Sequence, residues 1–383
     1  HSERPLTARQ RTRTESRMPR PIVATIDRAA LSHNLDVARS LTTGARTWAV
    51  VKADAYGHGV LTAASAFADA DGLALIEIEN AIRLRESGWK KPILLLEGCF
   101  SSLDWHAAAE HRLSVVIHSD EQLSEFEATP LARKLDVFLK FNTGMNRLGF
   151  RIERARDVAA RAERHEGTGE ITLMTHFACA DEPGGHVDAL VRFNEATAGL
   201  PYARSLANSA ACFDFGRVGA GGGASIGQQG WVRPGIMLYG ATPFSHASRS
   251  AMSLKLKPAM TVTTEVIAVQ SLKPGERVGY GATYTAKRDE RIAVIACGYA
   301  DGYPRHAPSG TPVLVDGRRA PIAGRVSMDK ITVDVTDVPL ARVGSQVQLW
   351  GDRLAVDEVA NAAGTIGYEL LTAVAARVPR RAV

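Results

Sequence analysis

Between Thr47 and Leu238, short apolar runs alternate with longer amphipathic stretches. That texture predicts repeated strand-helix units wound about a parallel sheet. Eight runs carry it: TWAVVK (47–52), LALIEI (73–78), ILLLEG (93–98), LSVVIH (113–118), VFLKFN (137–142), ITLMTH (171–176), RSLANS (204–209) and WVRPGIML (231–238). Eight parallel strands with intervening helices are what a closed (β/α)8 barrel of TIM type requires. From about Leu254 the pattern shifts to short alternating strands and tight turns, such as TVTTEVIAVQ and VLVDGRRAPIAG, with Asp316-Gly317 as a hairpin signal. The expected fold is therefore α/β, with a barrel over 18–253 followed by a β-rich domain over 254–383. At 383 residues the chain also exceeds what a single core usually serves.

Several predicted strands contain or end in a residue capable of chemistry, namely Lys52, Lys140, His176, Ser209 and Arg233. In a barrel all strand ends open on one face, so residues distant in sequence converge on one mouth. The glycine-rich GAGGGAS at 219–225 follows no strand directly and reads as an insertion rather than a phosphate loop.

Composition changes this picture little. The apolar share is 45% and the charged share 23%, as in ordinary soluble globular proteins, and no uninterrupted apolar run is long enough to span a membrane. Of the net charge of +5, all but one unit lies in residues 1–20, which hold six arginines against two glutamates. The remainder offers no basic footprint for nucleic acid. Residues 1–17 read as a leader or tag outside the fold, with Met18 as a natural start. No apolar stretch follows the early arginines, as a secretory signal would require, and the chain reads as cytoplasmic. The cysteines at 99, 179, 212 and 297 lack paired spacing, which predicts reduced thiols and no metal site.

The first barrel strand runs into AVVKADAYGHG, which closely resembles the cofactor-lysine motif of alanine racemases. Further segments agree in that family's order across 21–378: LKFNTGMNRLGF (139–150), THFACAD (175–181), NSAA (208–211), VRPGIMLYG (232–240), VGYGATYTA (278–286), CGYADGYPR (297–305) and GRVSMD (324–329). The resemblance implies a pyridoxal 5'-phosphate enzyme that interconverts L- and D-alanine, with Lys52 holding the cofactor. Removing the α-proton of an amino acid is beyond unaided side chains, so a cofactor that delocalises the charge is required. Inversion also needs bases on opposite faces. The resemblance implies Lys52 and Tyr280 as this pair, with Tyr280 reaching the site of another subunit in a head-to-tail homodimer.

A free phenol is a weak base at neutral pH unless its neighbours help. The family pattern gives His176 this supporting part and sets Arg233 against the pyridine nitrogen, as a donor that stays protonated. It places Tyr56, Asn208, Ser209, Tyr368 and the amides of Gly235 and Ile236 around the phosphate. Arg147, with the backbone of Met328 of the partner subunit nearby, would take the substrate carboxylate, while Tyr299 and Asp329 line a narrow mouth. Lys140 stands where many members carry a carbamylated lysine, and Asn142 where others have Asp. Rival readings are a broad-spectrum or serine racemase, a decarboxylase of the same architecture, and a non-enzymatic cofactor carrier. The decarboxylases typically carry a different cysteine-containing motif where this chain has GYGATYTA and GRVSMD.

Overall fold

The computed structural model describes residues 20–215, 230–245 and 249–383. The expectations for residues 1–17 and for GAGGGAS lie outside these.

All eight apolar runs contribute to one closed parallel barrel. Its strands are Arg46–Val50, Gly72–Leu75, Ile93–Leu95, Ser114–Ile117, Leu135–Asn142, Thr168–Met174, Ala203–Ser205 and Trp231–Val232. Each pairs in parallel with the next, and Trp231 and Val232 close the ring against Arg46 and Thr47. Gly72–Leu75, Ile93–Leu95 and Ser114–Ile117 are buried at every position, as strands packed inside and out must be. The stacked rings of Trp48 and Trp231, 4.0 Å apart, fasten the closing seam.

Two runs are shorter as strands than their apolar character suggests. In WVRPGIML only Trp231–Val232 is extended, because Pro234 donates no amide and Ile236–Tyr239 turns into a 3-10 helix. In RSLANS the strand stops at Ser205, and Asn208 caps a helix beginning at Ser209. Ser209 therefore sits at a helix start rather than at a strand end.

The second domain is an eight-stranded sheet organised on the long strand Met260–Leu272. The strand alternates buried and partly exposed positions from Met260 to Val266 and so faces the core on one side only. It pairs antiparallel with Gln346–Trp350 and Glu290–Ile295. The hairpin predicted at Asp316-Gly317 joins Pro312–Val315 to Arg318–Pro321, with both turn residues at positive φ.

One boundary needs correction. The strand Val23–Ile26 lies outside the barrel: it pairs antiparallel with Met260–Thr263 and parallel with Arg380–Ala382. The barrel thus does not take the whole of 18–253. Its helical layer begins with Arg28–Leu41, and the β domain holds both ends of the described fold. A four-residue strand with alternating burial carries no mark in sequence of which sheet it joins. Among the described residues all four cysteines are free, and no helix is long and apolar enough to cross a membrane.

Candidate active site

The first barrel strand ends at Val50, and the chain then makes a turn that L-residues rarely adopt. Ala53, Asp54, Ala55 and Tyr56 all have φ between +51° and +55°. Such a left-handed turn costs about 1–2 kcal/mol per non-glycine residue, so other contacts must hold it. Ala55 N donates to Val51 O (2.9 Å) and Gly57 N to Ala53 O (3.0 Å). Asp54 Oδ1 accepts from Val60 N (2.8 Å), and Glu77 Oε1 from Ala53 N (3.2 Å). His58 Nδ1 lies 3.0 and 2.9 Å from the carbonyls of Ala55 and Tyr56. It therefore carries the ring proton, and burial pushes this histidine's pKa down to about 4, which keeps it neutral. Through this turn Lys52 and Tyr56 reach the same cavity.

That cavity, about 970 Å3, opens where the barrel mouth meets helices Val356–Ala362 and Gly367–Ala373 of the β domain. Lys52, Lys140, Arg147 and Arg233 line it, together with His118 and His176. Burial lowers the Lys52 amine, and Arg147 lowers it further. Lys140, almost fully buried, is pushed down to about 8 by burial and by repulsion from Arg233, Arg147 and Lys52, which outweighs the attraction of Glu97. These cations crowd together with incomplete acidic compensation.

Arg233 is enclosed and, among the described residues, meets no carboxylate. It donates to Ser205 Oγ (2.7 Å), to Thr175 O (2.7 Å) and, at 3.4 Å, toward His176 Nδ1. Burial lowers its guanidinium to about 10, still protonated at neutral pH. Burial first, and Arg233 second, hold His176 far below the ordinary imidazole range. With Nδ1 facing a guanidinium donor, the neutral ring carries its hydrogen on Nε2.

On the same lining, Asn208 Oδ1 accepts from Ala211 N (3.1 Å), while Ser209 Oγ accepts from Gly235 N (2.8 Å). The serine's own hydrogen remains available as a donor. The Gly235 amide is engaged by Ser209, so it reaches a ligand only by sharing that bond. A side chain at Gly235 would lie 2.5 Å from Tyr56 Oη, and glycine is what lets the tyrosine hydroxyl approach this backbone. Tyr368 faces the same region, its ring 6.1 Å from that of Tyr56.

Arg147 is exposed, on a loop folded by Asn142. The Asn142 side chain accepts from the amides of Gly144 and Asn146 (both 3.0 Å) and donates to Asn146 Oδ1 (2.8 Å). Asn142 thus shapes the loop that presents Arg147.

Lys52, Tyr56, Lys140, Arg147, His176, Asn208, Ser209, Arg233, Gly235, Ile236 and Tyr368 all line this one cavity. Tyr280, Tyr299, Met328 and Asp329 do not. Tyr280 is 73% exposed and Met328 54%, on turns of the β domain. Sequence reasoning missed Tyr239, whose hydroxyl donates to Val50 O (2.8 Å) and whose ring stacks on Tyr56 at 4.6 Å. It also missed Asp357, which accepts from Thr242 N (2.9 Å) and whose burial raises its carboxyl to about 6. A tyrosine four residues beyond Gly235 was the available signal for the first; the second gave none.

Barrel, β domain and a lysine-bearing cationic mouth together define an enzyme of the barrel-plus-sheet class. The model of the alanine racemase N-terminal domain matches residues 26–243 and that of the C-terminal domain residues 259–382. The chain belongs to the alanine racemase family. It is 50% identical over 362 residues to the alanine racemase of Erwinia tasmaniensis and 50% identical over 362 residues to the catabolic alanine racemase of Salmonella typhimurium, in each case covering 94% of this chain and 99% of the relative. The crystal structure of biosynthetic alanine racemase from Pseudomonas aeruginosa superposes with a TM-score of 0.89 at 47% identity, covering 95% of this chain and 99% of that one.

Proposed function

We propose that this chain racemises alanine with pyridoxal 5'-phosphate held in the barrel-mouth cavity, and that each site is completed by Tyr280 of a second copy. The observation that carries the reading is the desolvated Lys52 amine, set among cations on the wall of a cavity large enough for cofactor and substrate.

The residues present fit that cofactor. An anionic phosphate would relieve the repulsion among the cations, and the Gly235–Tyr56 approach forms a cradle that a Cβ would fill. Tyr56, Asn208, Ser209, Tyr368 and the amides of Gly235 and Ile236 would hold the phosphate, and Arg233 would donate to the ring nitrogen. When bound, the cofactor supplies an electron sink for the charge left by the departing α-proton. Arg233 stays protonated yet does not surrender its proton, which moderates that sink and limits side reactions.

The protein's own work is to place and move protons. Lys52 Nζ, made less basic by burial and by Arg147, acts on the α-hydrogen of D-alanine. Tyr280 Oη of the second copy acts on the opposite face, toward the L-enantiomer, with His176 at hand as a neutral partner. Arg147 pairs with the substrate carboxylate, assisted by the Met328 backbone of the second copy, while Tyr299 and Asp329 narrow the mouth to a small side chain. Lys140, with its amine lowered to about 8, has enough neutral form to take up carbon dioxide as a carbamate, which would turn a repelling cation into an anion facing Arg147.

Protein purified with pyridoxal phosphate should be yellow and convert either alanine enantiomer to the same mixture. A colourless protein that gains no visible absorbance on adding cofactor would refute the reading.

A further inference from the structure

The turns bearing Tyr299 and Met328 are held by an ion-pair network that no proton transfer uses. Asp301 closes the short turn Tyr299–Asp301, and its side chain is 1% exposed. Its Oδ1 receives Arg20 Nη1 (2.5 Å) and Arg377 Nε (2.8 Å), and its Oδ2 accepts from Gly298 N (2.9 Å). The same arginines continue to the second turn. Arg377 Nη2 donates to Asp329 Oδ1 (2.6 Å), and Arg20 Nη2 donates to the Asp329 carbonyl (2.7 Å). Between these anchors the two turns bond directly, Tyr299 N to Ser327 O and Ala300 N to Met328 O, each at 3.0 Å.

Met328 is 54% exposed and Tyr299 37%, so packing within the chain sets their positions only in part. A buried carboxylate with two guanidinium partners is also a poor route to stability, because desolvation offsets much of the attraction and apolar residues often serve as well. What it does provide is geometry. A planar guanidinium with donors in a rigid fork can bridge two acceptors at fixed separation, as a lysine cannot.

We propose that Asp301 and Arg377, with Arg20, are positioning residues that fix the Met328 backbone relative to Tyr299, and thereby set how the second copy's substrate carboxylate is received. This rests on the shared-site reading above.

Arg377 is partly exposed and outside the core, so Arg377→Gln should fold. With saturating pyridoxal phosphate, Arg377→Gln is expected to raise the alanine KM by roughly tenfold while kcat moves less than about threefold, the signature of lost ground-state binding. The visible cofactor band and the melting temperature should stay close to those of the unmodified enzyme. Arg377→Lys should fall between the two, having charge without the fork. An unchanged KM in folded, cofactor-loaded Arg377→Gln would overturn the proposal, as would losses that only follow a lowered melting temperature. Tyr280→Phe, measured beside it, separates the two ideas. If Tyr280→Phe loses turnover while Arg377→Gln keeps its KM, the network idea fails alone; if Tyr280→Phe keeps full turnover, the shared site and the network idea fall together.

Discussion

Lys140 carries a consequence that can be read from pH. Its amine titrates near 8 in the folded chain against an ordinary 10.5. Between those values the unfolded chain binds more protons, so this group makes stability rise with pH across that window; below about 8 both forms are protonated and the penalty is complete. The difference corresponds to a destabilisation on the order of 3 kcal/mol at pH 7. Lys140→Met, which keeps most of the buried volume, should therefore raise the melting temperature of cofactor-free protein at pH 7 in degassed buffer. The gain should shrink by pH 9.5. A lower melting temperature at pH 7 would show that the lysine is already compensated.

The same residue shows how far side-chain chemistry was legible before the fold. Its type and strand position marked it, but its effect depends on Arg147, Lys52 and Arg233, brought close only by barrel closure. Asn142, noted in sequence only as standing where others have Asp, spends its side chain on the loop backbone. Residue identity exposes a chemical group, and local hydrogen bonding decides what that group is used for.

Among elements, the turn at 53–56 departs furthest from ordinary backbone preference, and nothing in KADAY announces four consecutive left-handed residues. Alanine and tyrosine do not favour that region, and the conformation survives because Asp54, His58 and Glu77 bind its backbone. Ala53 is exposed, so glycine there relieves strain without opening a cavity. Ala53→Gly should leave stability unchanged or raise it by up to about 1 kcal/mol, as positive φ is relieved against the greater freedom of unfolded glycine. Thermal melts check this, and a clear loss of stability would mean that the turn is not held as described. Barrel strands such as Gly72–Leu75, Ile93–Leu95 and Ser114–Ile117, by contrast, were visible as apolar runs, since burial on both faces leaves an unbroken signature. The short strand Val23–Ile26 was not assigned to its sheet, because its partners lie more than two hundred residues away.

For the whole molecule, the β domain joins both ends of the described chain in one sheet and passes the barrel between them. The helices that bear Tyr368 and Asp357 line the cavity, while Tyr280, Tyr299 and Met328 lie outside it. In the proposed head-to-tail pair, each copy would lend that surface to the other, and two-fold pairing of one surface with another would make both sites equivalent. The motifs could signal such sharing only through family resemblance, since spacing along one chain says nothing about contacts between two.

Subunit complementation tests this most directly. Lys52→Ala and Tyr280→Phe subunits, each without appreciable turnover as homodimers, are unfolded together and reassembled. If the two groups act across chains, every mixed dimer has one site damaged twice and one site intact, and the mixture should recover about a quarter of unmodified activity when half the dimers are mixed. A reassembled mixture no more active than its separate parents would place both groups in the same chain's site, or outside the reaction, and would contradict the account.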